Sequence, residues 1–479
     1  MTVTKIKASI FSGLKWNTIS VLGTRGTDFI VKLILARLVL PEAYGIIGMA
    51  MVLIGFLQIV SDMGLFNALV QKKEDENTQV LYSSAFWFLG ILASCFVAFF
   101  FLFISPLGAS FYNEPRLVPV LNALSFYLFF NVLSIVPRVI LTKKLDFKNL
   151  VKITFTGTIL SSVTAIILAF IGFGVWSLVT KALLGSFVVF LSYWLRVGWR
   201  PQFILKLSAL TKLAGYSTYT QFNAMLFYFR SNLDYLIVGK LLASHVLGVY
   251  TLAFTLSEIL RAQLYSIFNK IFFPVYSKLQ DDLEQIKHYY LKVMTLTATV
   301  SFPVSIVFIG LAEEIITLLF GIKWIEAASP LRILSVASII FAISGTPAEV
   351  LKGIGKPSVS FYLNTINTFV IALPLMYFGI KYYGLDGVAY AVCIHYTTSR
   401  LAFHYYMKKY INVTDMEVLQ ALSKPILAGI VMLGIIYGVD QLQLSMLFTV
   451  VLGVGIGGLA YALFFVNEFK YGFKSLIKS

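Results

Sequence analysis

Apolar segments long enough to cross a lipid bilayer recur along almost the whole chain, and this repetition limits the fold more than any other feature. A transmembrane helix needs about 20 consecutive apolar residues, and only helices or closed barrels satisfy the backbone inside a bilayer. We therefore predict an all-α integral membrane protein with about 14 transmembrane helices. They begin near residues 14, 42, 80, 118, 149, 174, 214, 245, 290, 329, 358, 386, 421 and 445.

The composition excludes a soluble protein and offers no sign of a cofactor. Hydrophobic residues make up 58% of the chain and charged residues 13%, and the mean hydropathy is +0.85. Both cysteines, Cys95 and Cys393, lie in apolar segments, and the four histidines lack metal-ligand spacing. No Walker A sequence or GxSxG motif is present. We predict no metal, no cofactor, no ATP hydrolysis and no enzymatic activity.

The net charge of +16 reports membrane topology rather than nucleic-acid binding. With a cytoplasmic N-terminus, the inward loops and tails hold 25 of the 38 Lys and Arg residues, and the outward loops hold 5. Cytoplasmic loops carry such an excess, so we predict both termini in the cytoplasm. The first apolar segment lacks a small-residue cleavage site, and we expect it to remain as a helix.

Weak internal similarity indicates a duplication. ARLVLPEAYGIIGMA at 36–50 is similar to GKLLASHVLGVYTLA at 239–253, PRVILTKK at 137–144 to PAEVLKGI at 347–354, and GVWSLV at 174–179 to GVAYAV at 387–392. Two parallel six-helix repeats would form two lobes around a central cavity. We predict an N-lobe at 1–200 (helices 1–6), a C-lobe at 201–410 (helices 7–12), and two appended helices with a cytoplasmic tail at 411–479.

Eight basic residues remain at membrane depth once the loops are counted, and the first helix holds two of them. Arg25, Asp28 and Lys32 fall within about 60° of one another around a helix. Each would cost about 2.5–3.5 kcal/mol at the bilayer centre. We therefore predict that all three face the protein interior or a water-filled cavity.

Other helices carry similar charge pairs. Arg230 and Asp234 are four residues apart in the seventh predicted helix, and Asn223 precedes Arg230 by one heptad. Glu258 and Arg261 are three residues apart in the eighth. Because bases outnumber acids at this depth, we predict a cationic cavity that binds a phosphate-bearing substrate. The predicted substrate-binding residues are Arg25, Asp28, Lys32, Asn223, Arg230, Asp234, Glu258 and Arg261.

Two alternatives stay open for these charges. They would instead form interhelical ion pairs that hold the lobes together, or their carboxylates would bind a coupling H⁺ or Na⁺. The coupling candidates are Asp28, Asp62, Asp234 and Glu258. Arg138, Arg332 and Glu349 lie near predicted helix ends, and we expect them to extend to the membrane interface rather than to line the cavity.

Several segments resemble the Wzx-type polysaccharide flippases, nearest to the colanic acid and teichuronic acid exporter branch. They are SGLKWNTIS at 12–20, SDMGLFNALVQKKE at 61–74, NLDYLIVGKLLA at 232–243, FPVYSKLQDD at 273–282 and FGIKW at 320–324. The same superfamily holds the lipid II flippase and multidrug extruders.

The resemblance implies a multi-pass transporter of the bacterial inner membrane that works by alternating access. It would move a polyprenyl-diphosphate-linked oligosaccharide to the outer leaflet for cell-surface polysaccharide synthesis, with the lipid tail among membrane lipids. Cavity Arg and Lys residues would hold the diphosphate, and polar and aromatic groups the sugars. We expect a monomer with polysaccharide polymerase partners.

Two other functions compete with this one. A multidrug or cation extruder of the same superfamily would be expected to have twelve helices and an acidic cavity. A membrane polymerase or glycosyltransferase acting on lipid-linked sugars would carry a sizeable outward loop with catalytic residues. The longest outward loops predicted here, near 105–118 and 312–328, contain no catalytic cluster.

Overall fold

The computed structural model describes residues 23–62, 64–73, 75–208, 210 and 224–466, without the side chains of Asp62 and of 259–270. Regular structure in these ranges is entirely helical. Ten helical stretches within them are long and apolar enough to cross a membrane. The prediction of a polytopic all-α membrane protein is thereby confirmed, whereas the count of 14 and the repeat stay predictions.

The described chain divides between Gly248 and Val249 into two compact units. The predicted boundaries at 200 and 410 are not tested by this division. The helices of the first unit are α1 (23–38), α2 (Pro41–Asp62), α3 (Leu65–Gln71), α4 (Thr78–Phe99), α5 (Ser105–Tyr112), α6 (Leu117–Leu133), α7 (Ile135–Lys143), α8 (Phe147–Phe170), α9 (Val175–Val197), α10 (224–231) and α11 (Leu233–Leu241).

Helix α12 (Ser244–Lys278) begins in the first unit and continues into the second. The remaining helices of the second unit are α13 (Leu283–Gly310), α14 (Ala312–Leu319), α15 (Ala328–Ala342), α16 (Pro347–Gly353), α17 (Pro357–Ile366), α18 (Leu373–Ile411), α19 (Asp415–Asp440) and α20 (Met446–Leu463).

Small residues allow the helices of the first unit to pack closely. A Cβ atom on Gly157 of α8 would lie 2.6 Å from a methyl carbon of Val189 and 3.1 Å from the Gly185 carbonyl oxygen on α9. Helix α1 buries Val31 and Leu35 against Ala165 and Ala169 of α8. Close approach at small residues is a usual basis of helix association in membranes, so α1, α8 and α9 form a scaffold for the charges of α1.

The chain after α9 runs extended along α4. The Trp199 indole donates to the Gln79 side-chain oxygen at 2.7 Å, and the Trp87 indole donates to the Gln202 carbonyl at 2.8 Å. The backbone amides of Gln202 and Lys206 donate to the hydroxyls of two consecutive serines, Ser83 and Ser84, at 3.0 and 2.9 Å. These bonds satisfy backbone groups that have no helical partner, so they fix this segment to α4.

Two glycines let α2 and the start of α12 cross with their backbones in contact. A Cβ on Gly45 would lie 1.7 Å from the Ser244 carbonyl oxygen, and one on Gly248 would lie 1.8 Å from the Pro41 carbonyl oxygen. The contact is reciprocal: the Pro41 carbonyl on α2 lies against Gly248, and the Ser244 carbonyl on α12 lies against Gly45 in the same way. Any larger side chain would force the two helices apart.

A polar network lies beside this crossing. Glu114 accepts hydrogen bonds from Arg116 at 2.7 Å and from the Ser244 hydroxyl at 2.9 Å, and Arg116 also pairs with Glu42 at 2.9 Å. The hydrogen bond from Arg116, the one from Ser244 and the Arg116 charge together hold the pKa of Glu114 below its usual value despite burial. The network thus links α2, the α5–α6 turn and α12.

In the second unit, α13 packs against α15 and α19 around a buried aromatic and aliphatic core. The Thr295 hydroxyl donates to the Ala421 carbonyl of α19 at 2.9 Å, and the Tyr461 hydroxyl of α20 donates to the Thr299 carbonyl at 3.1 Å. Hence α19 and α20 are packed on α13. Near the start of α19, Lys287 pairs with Glu417 at 3.1 Å.

Two predicted loops contain helices. Ser105–Tyr112 is α5, and it continues α4 through a π-helical turn at Phe100–Ile104. Ala312–Leu319 is α14. The outward loop expected at 105–118 is therefore shorter than predicted, because α5 continues the apolar helical stretch that begins at Thr78. The connection expected at 312–328 is not contradicted, because α14 lies between two candidate spans. Conversely, Gly384, with φ +57° and ψ −132°, interrupts α18 in a conformation that favours glycine.

Candidate functional site

The predicted acidic residue of α1 forms an ion pair that the sequence analysis did not identify. The Lys181 ammonium of α9 donates to Asp28 Oδ1 at 2.9 Å. The lysine side chain is 20% exposed and the aspartate side chain 46% exposed. Because a lipid-facing charge would be costly, such exposure requires water around this pair.

Arg25 and Lys32 add two further cations on the same helix. Both side chains are exposed, and neither has a hydrogen-bond or ion-pair partner in the described part of the chain. Lys32 lies within electrostatic range of both Asp28 and Lys181. We call Arg25, Asp28, Lys32 and Lys181 the cationic cluster; it holds three basic groups against one carboxylate.

This composition suits an anionic ligand. Exposed ion pairs contribute only about 0–1 kcal/mol to stability, so the stability of the fold does not account for so many cations at membrane depth. Hydrogen bonds from ammonium or guanidinium groups to phosphate oxygens are about twice as strong as neutral ones. The excess positive charge would suit an anionic ligand, while the Asp28–Lys181 pair also joins α1 to α9.

Lys181 was missed as a site residue, although it is one of the eight basic residues that the topology analysis leaves at membrane depth. No spacing rule links it to Asp28, because 153 residues separate them. The one sequence signal that pointed to Lys181 was the set of basic residues that lie outside the predicted loops and tails.

The second predicted pair lies on two helices rather than one. Asn232 separates α10 from α11, with φ −123° and ψ +14°, and its side-chain amide donates to the Tyr228 carbonyl at 2.8 Å. The helix is thus interrupted between Arg230 and Asp234, and the pairing and binding role expected of these two residues stay predictions. Arg230 lies over the Phe227 ring at 5.5 Å, and Asp234 is buried.

The remaining predicted residues are only partly described. Asn223 lies outside the described residues, as do the side chains of Asp62 and Arg261. Glu258 is half-buried on α12, in the second unit. In that unit, Arg400 donates to the Tyr290 hydroxyl at 3.2 Å. Among the described residues, no group of His, Cys, Asp and Glu is arranged to hold a metal ion.

The first unit also contains a cavity of about 530 Å³ with a mixed polar and apolar lining. Its described walls come from the end of α2, from α3, from α6 and α7, and from α10. They include three amide side chains, two aromatic rings and one guanidinium, belonging to Gln58, Asn67, Asn131, Phe66, Tyr228 and Arg138. Arg138 is exposed on α7 and also lines this cavity, with its guanidinium 4.7 Å from the centre of the Phe66 ring; its expected position at the membrane interface stays a prediction.

Comparison with known proteins identifies the family. The described fold and the cationic cluster define a polytopic helical membrane protein with charges at membrane depth. Residues 34–329 match the family described as "Polysaccharide biosynthesis protein". This match covers more than half of the chain, so the protein belongs to that family, and the predicted resemblance to polysaccharide flippases is confirmed.

Individual relatives agree with this assignment. The chain is 24% identical to the teichuronic acid biosynthesis protein TuaB of Bacillus subtilis, over 99% of this chain and 98% of that protein. It is 24% identical to the lipopolysaccharide biosynthesis protein WzxC of Escherichia coli, over 80% of this chain and 77% of that protein. Lipid II flippase MurJ in an inward closed conformation has the same fold, with a TM-score of 0.71 at 17% identity, over 96% of this chain and 100% of MurJ.

Proposed function

We propose that this protein is a flippase that moves polyprenyl-diphosphate-linked oligosaccharides across the bacterial inner membrane for cell-surface polysaccharide synthesis. The observation that carries the proposal is the cationic cluster, in which Lys181 and Asp28 pair beside Arg25 and Lys32, neither of which has an ion-pair partner among the described residues. A diphosphate is the anion that such a cluster would bind through charge-assisted hydrogen bonds. The family membership supports a sugar-bearing cargo.

The mechanism we propose is alternating access by two parallel six-helix lobes with both termini in the cytoplasm. The reciprocal contact of Gly45 and Gly248 supports the repeat, because the two glycines occupy equivalent places in the two similar segments at 36–50 and 239–253. Reciprocal contacts of this kind are expected where two copies of one segment meet about a twofold axis.

We also propose 14 transmembrane helices. Ten candidate spans are found within the described residues, and the Gly384 break would divide the longest of them, 357–411, into two. Helix α1, the helices α10 and α11 taken together, and α12 would supply the other three. This arrangement contains no separate soluble domain, and we propose that the protein acts as a monomeric transporter rather than an enzyme, in association with a polysaccharide polymerase.

In this mechanism the cluster would act in a defined order. Arg25, Lys32 and Lys181 would capture the diphosphate while the cavity faces the cytoplasm, and Asp28 would hold Lys181 in position until the ligand arrives. Arg230 and Arg261 would contribute from the seventh and eighth helices, with Asn223, Asp234 and Glu258 as polar partners. Asp28, Asp62, Asp234 and Glu258 stay the candidates for a coupling H⁺ or Na⁺.

Complementation tests the proposal. The protein would be produced in a panel of strains that each lack one defined polysaccharide flippase, and the accumulated lipid-linked oligosaccharide would be measured. We expect export to be restored, and accumulation to fall, in at least one strain. Failure in every strain, with the protein present in the membrane at the abundance of the native flippase, would contradict the proposal. A drug-extruder function would instead raise drug resistance without lowering accumulation.

A further inference from the structure

The cavity of the first unit has walls unlike those of the cationic cluster. The cluster offers almost only charges, whereas the described cavity walls offer amides, aromatic rings and aliphatic side chains with a single guanidinium. Ligand sites in proteins commonly enclose about 300–1,000 Å³, and the 530 Å³ of this cavity falls within that range. The cavity is therefore large enough for a small organic group and not only for an ion.

Its amides are available to a ligand. Gln58 and Asn67 have no side-chain hydrogen bonds to other groups in the described part of the chain. Asn131 donates one N–H to the Tyr127 carbonyl at 2.8 Å, which leaves its other N–H and its oxygen. An amide is both a donor and an acceptor, and so is each hydroxyl of a sugar.

The Tyr228 side chain in the cavity wall is held in place by close packing against α2. The Tyr228 hydroxyl donates to the carbonyls of Met51 and Val52 at 3.2 and 3.0 Å. Gly55 makes room for it, because a Cβ there would lie 2.2 Å from the Tyr228 oxygen. Tyr228 thus lines the cavity with its one hydroxyl proton already used on α2, and an aromatic side chain packs well against the C–H face of a pyranose.

The described cavity wall contains one cation, and the described part of the chain supplies no counter-ion for it. Arg138 has no ion-pair partner in the described ranges, and none of the described lining residues is Asp or Glu. Its guanidinium lies over Phe66, which orients the planar donor group. A guanidinium in this state is suited to a carboxylate or a phosphate.

We infer that this cavity is a sugar-binding subsite that takes one pyranose with an oxyanion group against Arg138. The amides would bind the sugar hydroxyls, Tyr228 would pack on the ring, and Arg138 would bind either a sugar carboxylate or the phosphate that links the sugar to its carrier. The inference rests on the proposed function, and it names the part of the first unit that selects the cargo.

Binding of four soluble probes to the full-length protein in nanodiscs tests the subsite: glucose, glucuronate, glucose 1-phosphate and inorganic phosphate. Saturation-transfer NMR would follow wild type, Gln58→Leu, Asn67→Leu and Arg138→Gln. Arg196→Gln is the matched control, because Arg196 is an exposed arginine at the end of α9 that does not line the cavity. Unchanged unfolding temperatures would exclude a folding defect.

Each amide variant should weaken the binding of all three sugars by about 2- to 10-fold, which corresponds to the loss of one neutral hydrogen bond. Arg138→Gln should weaken the binding of at least one of the two anionic sugars roughly 10-fold or more and leave the binding of glucose unchanged. If only glucuronate binding is lost, Arg138 binds a sugar carboxylate. If only glucose 1-phosphate binding is lost, Arg138 binds the linking phosphate. Either outcome supports the subsite.

Three results would overturn it: no binding of any sugar by wild type, equal binding by wild type and all cavity variants, or inorganic phosphate binding as tightly as glucose 1-phosphate with no effect of the amides. The complementation test separates this failure from that of the proposed function. If the protein restores export but its cavity variants bind sugars as tightly as wild type, the subsite is refuted and the proposed function is not.

Discussion

At the scale of single residues, the charges of α1 were predictable and their partner was not. The spacing of Arg25, Asp28 and Lys32 depends on helical geometry alone, which is local. The Asp28–Lys181 pair depends on how α1 and α9 pack, and the small residues that allow that packing are spread over α8 and α9. The contact of Arg138 with Phe66 could not be predicted for the same reason, because a position near a helix end does not reveal its neighbours on other helices.

Neutralising the cluster should reduce transport without reducing stability. We expect Lys181→Gln and Lys32→Gln each to lower export roughly 10-fold at equal membrane abundance, since each removes a charged donor to the diphosphate. Lys381→Gln is the control, because Lys381 is an exposed lysine that lies over the Tyr382 ring. Accumulated lipid-linked oligosaccharide is the readout, and wild-type export by both cluster variants would refute the diphosphate assignment.

Glu114 should make stability fall at low pH. Its pKa is lower in the folded state than in the unfolded state, so its contribution is complete above the ordinary glutamate pKa of about 4.3. That contribution is lost as the pH falls through the lower, folded-state pKa. We expect the unfolding temperature of the purified protein to drop on acidification below about pH 4.3, and to drop less in Glu114→Gln. The same pH profile for the variant and wild type would show that Glu114 is not responsible.

At the scale of elements, apolar runs located the helices but not their ends. The helix predicted from about 421 begins at Asp415, because Thr414 and Glu417 form a reciprocal capping box. That motif is visible in the sequence and would have corrected the boundary. The extended chain along α4 could not have been foreseen, since its bonds join residues about 120 positions apart.

The crossing of α2 and α12 should not tolerate a side chain. Gly45→Ala and Gly248→Ala would each place a Cβ within 2 Å of a carbonyl oxygen, and overpacking of this kind costs about 1–3 kcal/mol. We expect lower unfolding temperatures for both variants in detergent. Gly434→Ala in α19 is the control, because nothing lies within 4 Å of its added methyl group, and it should be neutral or slightly stabilising. Equal stability of all three would contradict the crossing.

At the scale of the whole molecule, composition and charge bias are sufficient to assign the class of a polytopic helical membrane protein. Hydropathy identifies membrane segments well because every backbone polar group in a bilayer must be paired internally. The family followed from several short motifs in the right order, and the match over residues 34–329 confirmed it. The selection of a particular sugar depends on side chains that meet only in the fold, as Gln58, Asn67, Asn131 and Arg138 do.

Translocation by the purified protein tests the central claim most directly. Lipid-linked oligosaccharide would be extracted from a strain whose export the protein restores, placed in liposomes with or without the protein, and probed with a membrane-impermeant reagent that modifies sugars. We predict that the protein moves lipid-linked oligosaccharide from the inner leaflet to the outer leaflet, where the reagent modifies it. Lys181→Gln should slow this modification markedly. Equal rates in liposomes with and without the protein would contradict the account.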